Sequence, residues 1–147
     1  MFSAKSVPDL PTALKDQDAD ISRAAALALG NIGHQESITA LVEMLNIGTP
    51  ERKVAAAKAL GKVGALHGDP SIIPPLLDAL KTDDLVVKTE VVWALGQLPD
   101  RRAYEPLLEL QQSLRNVRTS DRSSQEGKFW DAVLYALKQL DGFDQIN

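Results

Sequence analysis

The chain has 147 residues, of which 44% are hydrophobic, and this suits a single soluble domain with an ordinary core. Its 20 acidic residues outnumber the 16 basic ones and leave a formal charge of -4, which argues against a nucleic acid partner. The absence of cysteine excludes thiol nucleophiles, disulfides and cysteine-bound zinc. Because no apolar run is long enough to span a membrane and no signal-peptide core follows residues 1–5, we expect a cytoplasmic protein without a membrane partner.

One pattern repeats along the chain: a Leu-rich segment, a polar turn, and an Ala-rich segment that ends in Ala-Leu-Gly. In three copies the same interval of sixteen residues separates a leucine from a glycine, and these pairs are Leu14 and Gly30, Leu45 and Gly61, and Leu80 and Gly96. A fourth copy is degenerate and has Lys138 at the glycine position. Each copy predicts a pair of helices, since no alternating strand pattern competes.

The first Ala-rich segment, Asp18–Gly33, is typical of an amphipathic helix. Asp18 is placed to cap its first turn, and Gly33 to end it with a left-handed residue. The apolar residues recur with helical spacing on one side, which we predict to be the core face. These residues are Ile21, Ala25, Ala28, Leu29 and Ile32.

The glycines of the first two copies are expected to have two different roles. Gly30 and Gly61 lie inside helices, where each costs about 1 kcal/mol in helix propensity, a cost that close approach of a neighbouring helix would offset. Gly64 corresponds to Gly33 and is predicted to end the second Ala-rich helix, which begins near Thr49-Pro50.

The copies differ in length because of two insertions. Residues 65–69 lengthen one turn by four, and residues 118–127 form a polar surface loop in the last copy. The repeat units then cover about 7–33, 34–64, 70–99 and 101–141. This periodicity predicts one all-α domain over residues 1–147, built as an α-solenoid of about four helical hairpins.

The stretch from Asp18 to Gly33, with "ALVEMLN" after it, resembles HEAT-like repeats of the phycobilisome lyase type. Units of that family combine an acidic turn, a Val-Arg pair, an Ala-rich helix ending Ala-Leu-Gly-x-Ile-Gly, and a Leu-rich helix. The match is good over residues 7–117 and poor over 128–141, and the arginine position holds Ser22, Lys53, Lys88 and Trp130. The resemblance implies that the Ala-rich helices line the concave side of the solenoid. It leaves the activity open, because the family includes bilin lyases, pigment-complex degradation factors and adaptors.

The sides of the Ala-rich helices opposite the predicted core face form a candidate binding surface. Such sides should be polar, yet aromatic and aliphatic residues lie there in a charged surround, as at protein interfaces. We predict that a partner protein binds to this set: Arg23, Leu27, Asn31, Val54, Lys58, Lys62, Thr89, Glu90, Trp93, Gln97, Asp131 and Tyr135.

Trp93 is the predicted central anchor of this surface. The alternative is that Trp93 folds over the edge of the stack and Tyr135 covers a loose last unit. Trp130, beside Phe129, is predicted to belong to the terminal core. The aligned charges of the other helices, such as Glu43, are expected to form a solvated convex face.

The sequence holds little that favours an enzyme. It has neither a strand-led glycine loop nor a Gly-x-Ser-x-Gly elbow. The motifs His34-x-Glu36 and His67-x-Asp69 lie in successive predicted turns and form the one constellation with metal-ligand chemistry, but we assign both histidines to the surface. We predict no catalytic residue, no metal and no cofactor.

The favoured function is therefore a non-catalytic scaffold or adaptor that binds a partner protein on its concave face. The alternative is a bilin lyase-like or chaperone-like subunit that acts on a phycobiliprotein, and four units are fewer than a complete lyase of the family carries. A repeat module without a partner is disfavoured, because it would place charges at Leu27 and Trp93. Both a monomer and a weak homodimer are compatible with an exposed apolar patch.

Overall fold

The computed structural model describes residues 10–98, 100–115 and 121–146, with side chains as far as Asp141. This part of the chain contains eight α-helices and three short 3₁₀-helices and no strand, which confirms the all-α class. The α-helices are α1 Leu10–Ala13, α2 Ala19–Ile32, α3 Ile38–Ile47, α4 Pro50–His67, α5 Ile73–Ala79, α6 Leu85–Gly96, α7 Tyr104–Leu114 and α8 Gln125–Ile146. The 3₁₀-helices Gln35–Ser37, Pro70–Ile72 and Arg101–Ala103 lead into α3, α5 and α7. No helix among these residues is both long and apolar enough to cross a membrane.

The helices form two layers. The Ala-rich helices α2, α4, α6 and α8 lie side by side, and each packs against the next. The Leu-rich helices α1, α3, α5 and α7 form the second layer, in which each packs on the Ala-rich helix that follows it. This succession of hairpins confirms the predicted α-solenoid. Its core lies between the layers and includes the fully buried side chains of Leu29, Leu41, Leu45, Leu60, Leu76, Leu95 and Leu107.

Glycine allows the Ala-rich helices to pack closely, as predicted for Gly30 and Gly61. A Cβ atom added to Gly30 would lie 2.7 Å from the Cα atom of Ala59. The same contact recurs between the next two pairs, in which the corresponding distances are 3.0 Å from Gly61 to Ala94 and 3.1 Å from Gly96 to Ala136. One glycine-to-alanine contact therefore sets the spacing of the whole Ala-rich layer.

The ends of α2 follow the prediction, whereas the end of α4 does not. The Asp18 carboxylate accepts a hydrogen bond from the Asp20 N–H at 2.9 Å, and Gly33 has φ 72°. Gly64, however, lies inside α4, which continues to His67 and ends at Gly68 with φ 63°. The insertion within residues 65–69 adds four residues, about one helical turn, and moves the end of the helix from Gly64 to Gly68.

The predicted loop at 118–127 is partly wrong. Residues 116–120 lie outside the described residues, but α8 already begins at Gln125, so the last three residues of the predicted loop are helical. The Ser124 hydroxyl accepts a hydrogen bond from the Gly127 N–H at 3.1 Å, and this interaction caps the first turn. A serine in this position starts a helix where composition alone indicates a turn.

Two residues of the predicted core face of α2 are exposed. Ile21 is 45% exposed and Ile32 is 64% exposed, whereas Ala25 and Leu29 are buried. Gly30 of α2 faces α4, and both isoleucines lie about half a turn of the helix away from Gly30, on the flank that faces away from α4. Burial there depends on a neighbouring helix, which the periodicity of α2 by itself does not reveal.

The prediction for Trp130 is also wrong. Phe129 is buried in the terminal core and Trp130 is only half-buried. Phe129 occupies the same repeat position as Val87. Trp130 is the next residue, so its side chain points in a different direction round the helix. The ammonium group of Lys88 lies 5.9 Å from the centre of the Phe129 ring.

Candidate functional site

The predicted binding residues lie on the exposed side of the Ala-rich layer, which we call the open face. None of them is buried, and Glu43, Asp78 and Glu109 of the other layer are exposed as well. The repeat aligns the residues of the open face in rows that run across the helices. The central row is Leu27, Lys58, Trp93 and Tyr135, and the row one turn earlier is Arg23, Val54, Thr89 and Asp131. A third row begins with Asn31, Lys62 and Gln97.

The central row carries an aromatic pair on α6 and α8. The rings of Trp93 and Tyr135 are 4.7 Å apart between centroids and are tilted by 47°. Trp93 is half-buried against the core, and Tyr135 is 37% exposed. The two predictions for Trp93, an exposed anchor and a ring folded over the stack, each describe part of the structure. The ring packs on the layer and still presents part of its surface to solvent.

Two adjoining hollows lie on the open face, one bordered by α2 and the starts of α4 and α6, and the other by α2 and α4. One has a volume of about 300 Å³, and its lining is Arg23, Pro50, Glu51, Val54, Asp84 and Val86. The other has a volume of about 270 Å³, and its lining is Asp20, Arg23, Ala24, Leu27, Val54, Ala55 and Lys58. Arg23 and Val54 line both hollows, which therefore adjoin, and we call the two hollows together the depression.

Sequence reasoning missed part of this lining. The sequence pattern places Pro50 only at the start of a helix and assigns no role to Asp84. The Asp84 carboxylate caps α6 by accepting hydrogen bonds from the N–H groups of Val86 and Val87, both at 3.0 Å. The helix starts that the sequence predicts are the signal that could identify these lining residues, because the starts of α4 and α6 both border the depression.

Polar contacts join neighbouring helices across the open face. Lys62 donates a hydrogen bond to the side chain of Asn31 at 2.6 Å, which links α4 to α2. Lys58 and Glu90 form an ion pair at 3.9 Å, which links α4 to α6. At the far end Asp131 pairs with Arg122.

Glu90 is the unusual residue of this face. The other Ala-rich helices have alanine at its position, namely Ala24, Ala55 and Ala132. Burial raises the pKa of the Glu90 carboxyl group, and the nearby Lys58 ammonium group opposes that shift. A partly desolvated carboxylate therefore lies beside the Lys58 ammonium group near the middle of the face.

The histidines hydrogen-bond to the protein itself. His34 Nδ1 lies 2.6 Å from the Ser37 hydroxyl, and His67 Nε2 lies 2.6 Å from the Gly33 carbonyl oxygen. In the described ranges no group of three or more His, Cys, Asp or Glu side chains is placed to hold a metal ion.

A family model described as HEAT repeats matches residues 2–61 and 48–121. Among curated proteins, the chain is 37% identical over 110 residues to the bilin biosynthesis protein PecE of Nostoc sp. strain PCC 7120, covering 69% of this chain and 42% of that protein. It is 36% identical over 137 residues to PecE of Mastigocladus laminosus, covering 87% and 45% of the two chains. An uncharacterized phycocyanin operon protein Z of Pseudanabaena tenuis is 30% identical over 101 residues.

A solved structure has the same fold. It is the complex of CpcE and CpcF of phycocyanin lyase from Nostoc sp. PCC7120, and the similarity has a TM-score of 0.72 at 24% sequence identity. The alignment covers 99% of this chain and 59% of the solved chain. This chain spans about half the length of the curated relatives that it matches.

Proposed function

The chain belongs to the HEAT-repeat family, and we propose that it is a protein-binding subunit in bilin biosynthesis that acts on a phycobiliprotein through its open face. The observation that carries this proposal is the 36% identity to a bilin biosynthesis protein over 87% of the chain. The resemblance in the repeat sequence is confirmed by these relatives. The proposal includes a cytoplasmic location.

The composition of the open face supports protein binding. Its exposed or half-buried apolar residues, Leu27, Val54 and Trp93, are flanked by charged side chains. Interfaces with a central aromatic anchor and a polar rim have this composition. The depression beside Arg23 and Val54 gives a partner side chain a place to insert.

The relatives favour a pigment-linked role over the general adaptor that composition suggested. A linear tetrapyrrole is flat and apolar, bears propionate groups and has pyrrole N–H donors. The open face has matching chemistry in the Trp93–Tyr135 pair, the Lys58 and Lys62 ammonium groups, and the Glu90 carboxylate. We therefore assign to this face contact with a phycobiliprotein and with the bilin that it carries.

A second protein belongs to the proposal as well. The solved structure with the same fold is a complex of two proteins, CpcE and CpcF. By analogy we propose that this chain acts together with a partner subunit. Size-exclusion chromatography with light scattering measures whether the isolated chain is a monomer or a weak homodimer.

Titrations with two probes test the proposal. Apo-phycocyanin and biliverdin, a linear tetrapyrrole, are each added to the purified chain, and binding is followed by absorbance and by tryptophan fluorescence. We expect apo-phycocyanin to bind, and Trp93→Ala to weaken its binding by about 2 kcal/mol or more, roughly 30-fold. Trp130→Ala is the matched control and should bind like the original chain, because Trp130 lies outside the rows of the open face.

Three results would count against this role. If neither probe binds, the pigment-linked function is wrong. If both tryptophan variants bind equally well, another surface holds the partner. If Trp93→Ala unfolds the chain while Tyr135→Ala binds normally, Trp93 is a core residue and not an anchor.

A further inference from the structure

A cavity of about 220 Å³ lies where the residues after α1 meet α3 and the first turn of α4, and we call it the α1–α3 cavity. Its lining is Leu14, Lys15, Ala40, Glu43, Met44, Ile47, Gly48 and Arg52. None of these residues lines the depression of the open face. A ligand here would occupy a second site, which holds or fails independently of the proposed function.

A corresponding cavity of about 200 Å³ lies one repeat later, and we call it the α3–α5 cavity. Most of the lining residues of the first cavity have counterparts there at the same repeat positions. The counterparts of Leu14, Lys15, Glu43, Met44, Ile47 and Arg52 are Leu45, Asn46, Asp78, Ala79, Thr82 and Val87, respectively. The second cavity therefore indicates which features of the first depart from the repeat.

The first departure is Ile47, which is apolar at a position where the other repeats are polar. The residues at this position in the other three repeats are Asp16, Thr82 and Ser113. Ile47 is 77% exposed at the wall of the cavity. Burial of this side chain requires a contact that the described residues do not supply.

The second departure is Arg52, which is charged where α6 and α8 have the apolar residues Val87 and Phe129, both at most 3% exposed. The Nη2 group of Arg52 donates hydrogen bonds to the carbonyl oxygens of Asp16 at 2.9 Å and Gln17 at 2.7 Å, so the guanidinium group is held in place. Its Nε atom is buried and has no hydrogen-bond partner in the part of the chain that the structure describes. Buried donors without a partner are rare, and they indicate an acceptor that comes from outside.

Charge and size together indicate the ligand. Lys15 and Arg52 bring two positive charges to the α1–α3 cavity against one negative charge of Glu43. In the α3–α5 cavity the single positive charge of Lys53 is matched by Asp78. Sites for free ligands have volumes of about 300–1,000 Å³, so the smaller α1–α3 cavity suits one large side chain of a peptide better than a cofactor.

We propose that the α1–α3 cavity binds an acidic peptide segment of a partner protein. One large apolar side chain of that segment, such as leucine, fills the cavity and packs on Met44 and Ile47. Carboxylate groups beside it pair with Lys15 and with the guanidinium group of Arg52, which is already fixed in position.

Titration of three synthetic peptides into the full-length, isotope-labelled chain tests this inference. The acetylated and amidated probes are Glu-Asp-Leu-Asp-Glu, the same peptide with serine in place of leucine, and Lys-Lys-Leu-Lys-Lys. Amide shifts in NMR spectra measure the affinity and identify the residues affected. We expect the acidic leucine peptide to bind with a Kd of about 0.1–1 mM and to shift residues 43–48, and the other two to bind at least about fivefold more weakly.

An aspartate placed in each cavity provides a matched pair of variants. Ile47→Asp introduces the residue that the first repeat has in this position, Asp16, and should weaken binding of the acidic leucine peptide about tenfold or more. Thr82→Asp makes the same change in the α3–α5 cavity and should leave the affinity within about twofold. Lys15→Asn copies Asn46 and should weaken binding about threefold through loss of charge. None of the three replaced side chains is buried, so the melting temperature should stay the same.

Four results would overturn the inference. The acidic leucine peptide causes no shift at concentrations up to about 10 mM. Ile47→Asp and Thr82→Asp weaken its binding equally. Phe2→Ser raises its affinity more than about fivefold, which makes residues 1–9 of this chain the occupant. The unmodified chain self-associates in sedimentation velocity and Ile47→Asp abolishes this association, which makes a second copy the occupant.

Discussion

The two halves of the open face use the same backbone arrangement and differ in what they present to a partner. In the half formed by α2 and α4, the central row holds Leu27 and Lys58, which line the hollow of about 270 Å³ that we call the pocket. In the half formed by α6 and α8, the same row holds Trp93 and Tyr135, whose rings contact each other. In the central row, Leu27 and Lys58 therefore border a pocket and the rings of Trp93 and Tyr135 form a platform, while the glycine-to-alanine spacing stays constant.

The largest expected effect comes from separating the two halves. Gly61 of α4 contacts Ala94 of α6, and an added Cβ would lie 3.0 Å from the alanine Cα. Gly61→Leu forces these helices apart, so we expect a loss of about 3 kcal/mol in the free energy of unfolding, measured by urea denaturation. Apo-phycocyanin binding should then weaken even where the variant is still folded, because pocket and platform no longer align.

Gly68→Ala is the control for this substitution. Gly68 has a left-handed backbone with φ 63°, but no atom lies within 4 Å of an added Cβ. The expected cost is about 1 kcal/mol from backbone strain alone. Equal losses in the two variants would mean that helix spacing does not hold the halves together.

The next effect comes from turning the pocket into a platform. Lys58 is the neighbour of Trp93 in the central row, and the Trp93–Tyr135 contact demonstrates that aromatic rings at neighbouring positions reach each other. Lys58→Trp should fill the second hollow and weaken apo-phycocyanin binding about tenfold, about 1.4 kcal/mol, without loss of stability. Isothermal titration calorimetry measures the binding, and thermal melting the stability.

Lys58→Met separates filling from loss of charge. Methionine removes the ion pair with Glu90 but is close to lysine in shape, so the pocket remains open. We expect Lys58→Met to bind more tightly than Lys58→Trp. If both variants lose affinity equally, the charge of Lys58 matters and the pocket does not.

The regular part of the molecule is the part that the sequence predicts. The helix pairs and the close contacts of Gly30 and Gly61 follow from periodicity and from the position of each glycine. The rows of the open face follow from the same register, because one repeat offset places residues on neighbouring helices side by side. The depression does not follow from this register, because one of its hollows is also bordered by the starts of α4 and α6.

The errors have a common physical cause. The repeat pattern predicts a helix end at Gly64, although an insertion of about one turn continues α4 to His67. The periodicity predicts core positions for Ile21 and Ile32, although both side chains are exposed. In each case the outcome depends on a neighbouring segment, and a local pattern carries no information about that neighbour.

A smaller effect tests whether the platform is a coupled unit. Trp93 and Tyr135 are in contact, so their contributions to stability should not be additive. A double-mutant cycle with Trp93→Ala and Tyr135→Ala should give a coupling energy of about 1 kcal/mol in urea denaturation. Leu27→Ala combined with Tyr135→Ala is the control pair, and any coupling there as large as that between the rings would contradict the division into halves.

The smallest effect concerns Glu90, which lies where pocket and platform meet. Burial raises its pKa above the ordinary value of 4.5, so the folded state favours the protonated carboxyl group. The stability that this group contributes is then fully present below about pH 4.5 and is lost as the pH rises through the raised pKa. The difference in unfolding free energy between Glu90→Gln and the original chain should therefore shift in favour of Glu90→Gln as the pH rises from 4 to 7. The shift should be no more than about 1 kcal/mol.

The neighbouring lysine decides whether burial is the cause. Lys58 lowers the pKa of Glu90 and so opposes the effect of burial. In a Lys58→Met background the gain from Glu90→Gln between pH 4 and pH 7 should therefore be larger than in the original chain. If the gain is unchanged, the charge of Lys58 does not affect the pKa of Glu90. Pocket and platform are then electrostatically independent of each other.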